Sequence, residues 1–259
     1  MRQAWNQASA TYQKNQQIAS DSVYYGPWSP PESELQLLGD LRGRKVLEIG
    51  CGGGQSAIAL ARQGAIVTGI DISDAQLKFA RQLAQNEGVS VRFIQSDAQQ
   101  LASITDTPHA TDNPRLASAQ WQMILSINTF QYLADIEAVL RSCHQLLSNR
   151  SRLVISLDHP MRSCFIDEEE NELALYPVRD YFDTTPLNWQ FSDSGNWMVS
   201  YHHTVGEWLA ALCKAGFRLL QLVEPPLVTE IADELWPVDG AQAALRNLPH
   251  TLIMIAEKE

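Results

Sequence analysis

Glu48, Gly50, Gly52 and Gly54 fall on alternate positions of the run Val46-Leu47-Glu48-Ile49-Gly50-Cys51-Gly52-Gly53-Gly54-Gln55-Ser56, the stretch of this chain with the most specific chemistry. An apolar segment of strand type stops at the glycines, and Ala57, Ile58, Leu60 and Ala61 then recur at helical spacing, so the run reads as strand, tight turn and helix. Glycines allow positive φ and close approach of a bound molecule, while the unpaired N–H groups of the helix start face it. The turn is a ligand cradle. Asp71 ends the next apolar run about twenty residues on, where open α/β sheets bind ligands and a carboxylate can accept from both hydroxyls of a ribose. Ser73 and Gln76 read as a capping box for the following helix, so Asp71 is not needed as its cap. Asp97 follows the third strand run, Val91-Arg92-Phe93-Ile94, in the same way. Three imidazoles, His159, His202 and His203, titrate near neutral pH and are candidates for taking a proton from a hydroxyl, an amine or an acidic carbon. Dinucleotide enzymes share the glycine turn and the ribose acid, but their G-x-G-x-x-G would put a glycine where Gln55 stands.

Glu48-x-Gly50-x-Gly52-x-Gly54 closing a first strand, with Asp71 and Asp97 at the next two strand ends, resembles the class I S-adenosylmethionine-dependent methyltransferases. The run from Asp158-His159-Pro160 through Tyr201-His202-His203-Thr204, Ala215-Gly216-Phe217 and Glu224-Pro225 is similar to their ubiquinone/menaquinone-biosynthesis-like, type 11 group of small-molecule enzymes, and the likeness spans nearly the full length. The resemblance implies S-adenosyl-L-methionine as cofactor and S-adenosyl-L-homocysteine as product. It implies that Glu48, Gly50, Cys51, Gly52 and Gly54 wrap the methionine half and that Asp71, with Ile72 beside it, holds the ribose. Asp97 would take the adenine amino group while the N–H of Ala98 addresses the ring. Tyr12 is the nearest match to a tyrosine that closes over the cofactor's carboxylate, and the main chain of Leu125 or Ser126 would take its amino group. Phe130, Tyr132 and His203 would shape the acceptor pocket. His159, just beyond the fifth strand, and His202 are the candidate catalytic bases. A strand alternates sides, so His202 and His203 are not expected to face one pocket. Two other classes stay open: a nicotinamide-dependent oxidoreductase, disfavoured by the glycine spacing and by Asp97, and a non-catalytic S-adenosylmethionine-binding protein. No ligand spacing calls for a metal, and none is expected.

These residues need a scaffold that gathers strand ends at one edge. Apolar runs at 46–49, 65–70, 91–94, 121–128, 152–157, 217–223 and 251–256 alternate with helical periods. An α/β fold is expected: a Rossmann-like, seven-stranded methyltransferase sheet with its last strand antiparallel and helices on both faces. Residues 1 to about 20 read as a helix carrying Trp5 and Tyr12. Tyr24 to Pro31 forms an aromatic loop that is either a lid or a patch pinned to the core. Residues 99–119 read as an extended surface loop, and about 160–201, acidic and aromatic, as a lid-like insertion on the acceptor side. At 259 residues, 45% of them apolar, one domain over 1–259 suffices, with 1–40 as an N-terminal helix and aromatic loop. A formal charge of −11 argues against nucleic acid and anionic membranes as partners. Four scattered cysteines suit a reducing compartment, the polar N-terminus does not read as a signal peptide, and no run approaches a membrane span. The expectation is a cytoplasmic enzyme acting on a small-molecule acceptor.

Overall fold

The computed structural model describes residues 1–101, 120–170, 172–190 and 197–259. The leading segment forms α1 (Arg2–Gln16), followed by a loop and the single turn α2 (Glu32–Leu35). Strand and helix then alternate through β1 (Lys45–Ile49), α3 (Gln55–Arg62), β2 (Ile66–Asp71), α4 (Asp74–Asn86), β3 (Arg92–Gln95), β4 (Trp121–Ile127), α5 (Ile136–Leu146) and β5 (Leu147–Asp158). A turn α6 (Pro160–Ser163) leads into two small antiparallel hairpins, β6 (Ile166–Asp167) with β7 (Glu172–Leu173) and β8 (Leu187–Gln190) with β9 (Trp197–Ser200). The chain closes with α7 (Val205–Lys214), β10 (Phe217–Val223), α8 (Thr229–Leu235) and β11 (Thr251–Lys258).

Among the described residues one seven-stranded sheet runs β10-β11-β5-β4-β1-β2-β3, with β11 antiparallel to both neighbours. The first five strands pair in parallel, and apolar residues fill both faces of such strands because helices cover both. Alternate residues of β1 divide the core: Leu47 and Ile49 pack with α5 and α7 through Leu140, Cys143 and Trp208, while Val46 packs with α3 and α4 through Ile58, Leu60 and Leu77. Strand order reverses between β1 and β4, so a crevice opens at their carboxyl ends.

Several local expectations change. β5 starts five residues earlier than its apolar run, after a register shift against β4 and a left-handed Arg150 (φ 59°). The Ser73 hydroxyl accepts the Gln76 N–H at 3.1 Å, but the Gln76 side chain turns to Gln13 at 2.7 Å, leaving that capping box half formed. The box of Thr204 and Glu207 at α7 is complete. Residues 201–204 form no strand, so alternation does not separate His202 from His203. The surface loop expected over 99–119 falls, from 102 on, outside the described residues.

Candidate active site

The carboxyl end of β1 delivers the cradle. The N–H groups of Gly50 and Cys51 both donate to the Ile70 carbonyl, at 2.8 and 2.9 Å, locking the turn to β2. A Cβ on Gly50 would lie 1.9 Å from Thr129 Oγ1, and one on Gly54 2.8 Å from Ala80 Cβ; at both positions packing demands glycine. Gly52 differs. Its φ is +51° and nothing lies within 4 Å of where a Cβ would stand, so the cradle leaves open space there. Its N–H donates to Asp71 Oδ2 at 2.9 Å, and the Ser73 N–H donates to Oδ1 at 2.8 Å. Asp71 thereby holds the turn, its pKa raised by burial against the opposing pull of those N–H bonds. Glu48 is 3% exposed, and its Oε2 is buried without a partner. Burial, with Asp71 adding, pushes its pKa up to about 8. A buried carboxyl beside a second carboxylate is costly to ionise unless a cation joins it. The cradle therefore fits a ligand that brings positive charge to Glu48, as the sulfonium and ammonium of S-adenosylmethionine would.

The cradle opens into a cavity of about 1110 Å³. On one side α1 contributes Trp5 and Tyr12, in edge contact at 5.7 Å; Trp5 also meets Tyr132 edge-on at 5.7 Å, and Tyr132 faces Trp189 of β8 at 6.2 Å. Burial, with Asp158 and Asp71 adding, pushes the Tyr12 hydroxyl up to about 12. Trp28 and Trp236 also line the cavity, with centroids 5.4 Å apart, and the Arg162 guanidinium lies 4.7 Å over the Trp28 ring. The aromatic loop is pinned to the core and also reaches the cavity: Tyr25 is fully buried and donates to Glu32 Oε2 at 2.6 Å, while Trp28 lines the cavity.

All three imidazoles line this cavity, and their partners differ. His159 caps α6: its Nδ1 accepts the Met161 N–H at 3.0 Å, which places the ring proton on Nε2, 2.8 Å from Glu224 Oε1. Burial lowers its pKa against the pull of Glu224. His202 holds Ser163 Oγ at Nδ1 and the Tyr181 carbonyl at Nε2, each at 2.7 Å. Both candidate bases have both nitrogens engaged, so neither offers a free lone pair. His203 Nε2 is buried and has no partner.

The structure separates the remaining predicted residues. Tyr12, Glu48, Gly50, Cys51, Gly52 and Tyr132 line the cavity. Phe130 does not: it is fully buried and packs on Trp208 at 6.2 Å, because residues 130–132 form a 3-10 turn that sends Phe130 to the core and Tyr132 to the cavity. Leu125 and Ser126 are also fully buried, with Ser126 Oγ donating to the Ile49 carbonyl at 3.0 Å. β4 ends at Ile127, one residue short of its expected run, and Ile127 and Asn128 occupy the strand end at the cavity instead. Half-buried Ile72 lies outside the cavity, flanked by Asp71 and Ser73. Asp97 accepts the Gln99 N–H at 2.9 Å, and Ala98 is core. Gly54 starts α3. Asn128, Gln131 and Arg162 line the cavity unforeseen, each with a buried polar atom that lacks a partner. Asn128 carried a readable signal, since asparagine is a residue type that tolerates the left-handed turn (φ 49°) ending β4.

A family model described as a methyltransferase domain matches residues 40–188, more than half of the chain. The chain belongs to the methyltransferase domain family. The ubiquinone biosynthesis O-methyltransferase of Pseudomonas aeruginosa is 34% identical over 154 residues, 54% of this chain and 61% of that protein, so the chain spans about three fifths of the length of such curated relatives. An S-adenosylmethionine-dependent methyltransferase from Mesorhizobium loti superposes with a TM-score of 0.65 at 21% identity, covering 86% of this chain and 95% of that one. The magnesium protoporphyrin IX methyltransferase of Synechocystis, solved with bound S-adenosylhomocysteine, gives 0.55 at 18% identity, covering 88% and 79%. The methyltransferase's fold is thus the class I sheet, and S-adenosylmethionine is the cofactor its family and its cradle call for. The dinucleotide and non-catalytic alternatives find no support in these relatives. No helix among the described residues is long and apolar enough to cross a membrane.

Proposed function

We propose that the chain transfers the methyl group of S-adenosylmethionine to a hydroxyl of a small, largely apolar, aromatic acceptor by in-line displacement. The observation that carries this is the continuity of the Glu48–Gly52 cradle with an aromatic chamber in one cavity. When bound, the sulfonium supplies an activated methyl group. The chain's own work is placement and exclusion of water: Glu48 and the glycine turn hold the donor end, and the mutually packed rings of Trp5, Tyr132 and Trp189 give an aromatic wall for the acceptor. Among the described residues four acidic side chains, Glu34, Glu48, Asp158 and Glu172, line the cavity against one guanidinium, that of Arg162, which Asp158 already pairs at 3.2 Å. Such walls disfavour polyanionic acceptors, nucleic acid included. Asp71, Ile72, Asp97 and Ala98 belong to the adenosine end in this reading.

The name of the Pseudomonas relatives, O-methyltransferases, supports a hydroxyl acceptor. We place the whole of 1–259 in one methyltransferase domain, supported by α1 and the 160–201 insertion lining the same cavity as the cradle. We place it in the cytoplasm, supported by four cysteines present as free thiols. The test is release of S-adenosylhomocysteine over a panel of phenols, catechols, hydroquinones, amines and fatty acids. Turnover confined to hydroxylated aromatic compounds is expected; turnover confined to amines or fatty acids contradicts the acceptor class.

A further inference from the structure

His159, His202 and His203 line one cavity, yet only His203 has chemistry left to do. Both nitrogens of His159 are taken, by Met161 and Glu224, and both of His202, by Ser163 and Tyr181. His203 Nε2 is buried and unpaired, an arrangement that is rare in native interiors and of which a catalytic role is one recognised cause. The ring is held in place rather than left to swing. It packs edge-on against fully buried Trp208 at 5.3 Å, and the Tyr201 N–H ties this segment to the Gln131 carbonyl at 2.7 Å. Gln131 Oε1 is a buried, unpaired acceptor lining the same cavity, and His203 Nε2 is a second in the tautomer that carries its proton on Nδ1. Together the two residues ask for a hydrogen-bond donor, which a hydroxyl acceptor carries.

We propose that His203 is the catalytic base of the reaction, taking the acceptor's hydroxyl proton on Nε2. This rests on the methyltransferase reading above. The acceptor's O–H bond breaks and its proton passes to Nε2. The oxygen's electron pair forms the bond to the methyl carbon as the methyl–sulfur bond breaks, leaving its pair on sulfur. The imidazolium then gives its proton to water. Burial, with His202 adding, holds the His203 pKa below the usual histidine range against the pull of Glu207 of α7, so the ring stays neutral and able to accept at neutral pH. The titratable groups that act on it are His202 on its own segment and Glu207 on the helix packed beside it.

Kinetics on the panel compound that wild type turns over fastest, together with histidine NMR of the S-adenosylhomocysteine complex titrated with catechol, test the proposal. H203Q should lower kcat by about 100-fold with KM nearly unchanged and abolish the acid limb of the pH–rate profile. H203A should recover rate on addition of imidazole. Catechol should shift the His203 Nε2 resonance and leave those of His159 and His202 in place. Unchanged affinity of both variants for S-adenosylhomocysteine checks that they fold. An H203Q rate within threefold of wild type, with the acid limb kept, overturns the base and leaves the methyltransferase reading standing. If wild type turns over no panel compound, the acceptor reading falls, and the NMR then decides alone: a His203 resonance that catechol does not move overturns the proposal.

Discussion

Glu48 is where burial and charge are most at odds. Burial, with Asp71 adding, pushes its pKa up to about 8 against an ordinary 4.5, which favours the neutral carboxyl below that pH. The stability that follows from this raised value is fully present below pH 4.5 and is lost as pH rises through about 8. Glu48→Gln keeps the shape and removes the titration, so the ligand-free variant should lose less melting temperature than wild type between those limits. The same change deletes the charge that a cationic donor pairs with, and affinity for S-adenosylmethionine should fall by about 10- to 100-fold, the worth of a hydrogen bond to a charged group. Thermal melts across pH and calorimetric titration check both; a Glu48→Gln variant with wild-type slope and affinity would remove Glu48 from the site. At this scale the sequence was only partly legible. Residue types named the right neighbourhood, three histidines near one pocket, but not which was open. That depends on Glu224, 65 positions beyond His159, and on Tyr181, 21 before His202. Partners so distant in sequence leave no local mark.

Elements were far more legible, because strands buried on both faces announce themselves as apolar runs between glycine stops. The β10 span matches its predicted run, and the last strand is antiparallel as expected. Errors sit at ends. Leu125 and Ser126 lie inside β4, which presents Ile127 and Asn128 at its end, and the 3-10 turn after it keeps Tyr132 in the cavity wall as expected but sends Phe130 to the core. The aromatic loop's placement also depends on an element-level device. Glu32 accepts from Tyr25 and from the N–H groups of Leu37 and Leu38, at 2.6 to 2.9 Å, and so fixes the loop that carries Trp28. Tyr25→Phe removes one bond to this buried carboxylate and should cost about 1.5 to 3 kcal/mol. The melting temperature should drop by roughly 2 to 4 °C per kcal/mol. An unchanged melt would show that the pin holds nothing.

Across the molecule, the site is assembled from parts of unequal anchorage. The cradle grows out of the buried sheet, whereas α1, which supplies Trp5 and Tyr12, buries only Ala8 and Ser9 and is tied to α4 through polar pairs such as Asn6–Asp74, Arg2–Asp74 and Gln13–Gln76. Few buried apolar contacts mean low local stability, so α1 amides should exchange faster than those of β1, β4 and β5 in the free protein. Bound S-adenosylhomocysteine should slow α1 exchange by packing beneath it. Hydrogen-exchange mass spectrometry with and without that ligand reads this, and unchanged α1 exchange would deny it a covering role.

In the proposed function the open space at Gly52 seats the cofactor. Gly52→Asn tests it at small cost to the fold, since asparagine accepts a left-handed backbone and its side chain would enter space now empty. The measurement is the thermal shift of wild type and this variant with S-adenosylhomocysteine, with NAD as control. At a hundred times its dissociation constant the ligand should stabilise wild type by about 2.7 kcal/mol, roughly 5 to 10 °C in a chain this size. The variant should melt cooperatively and show no shift, and NAD should move neither protein. A variant that gains the full S-adenosylhomocysteine shift, or a wild type that responds to NAD alone, would contradict the account.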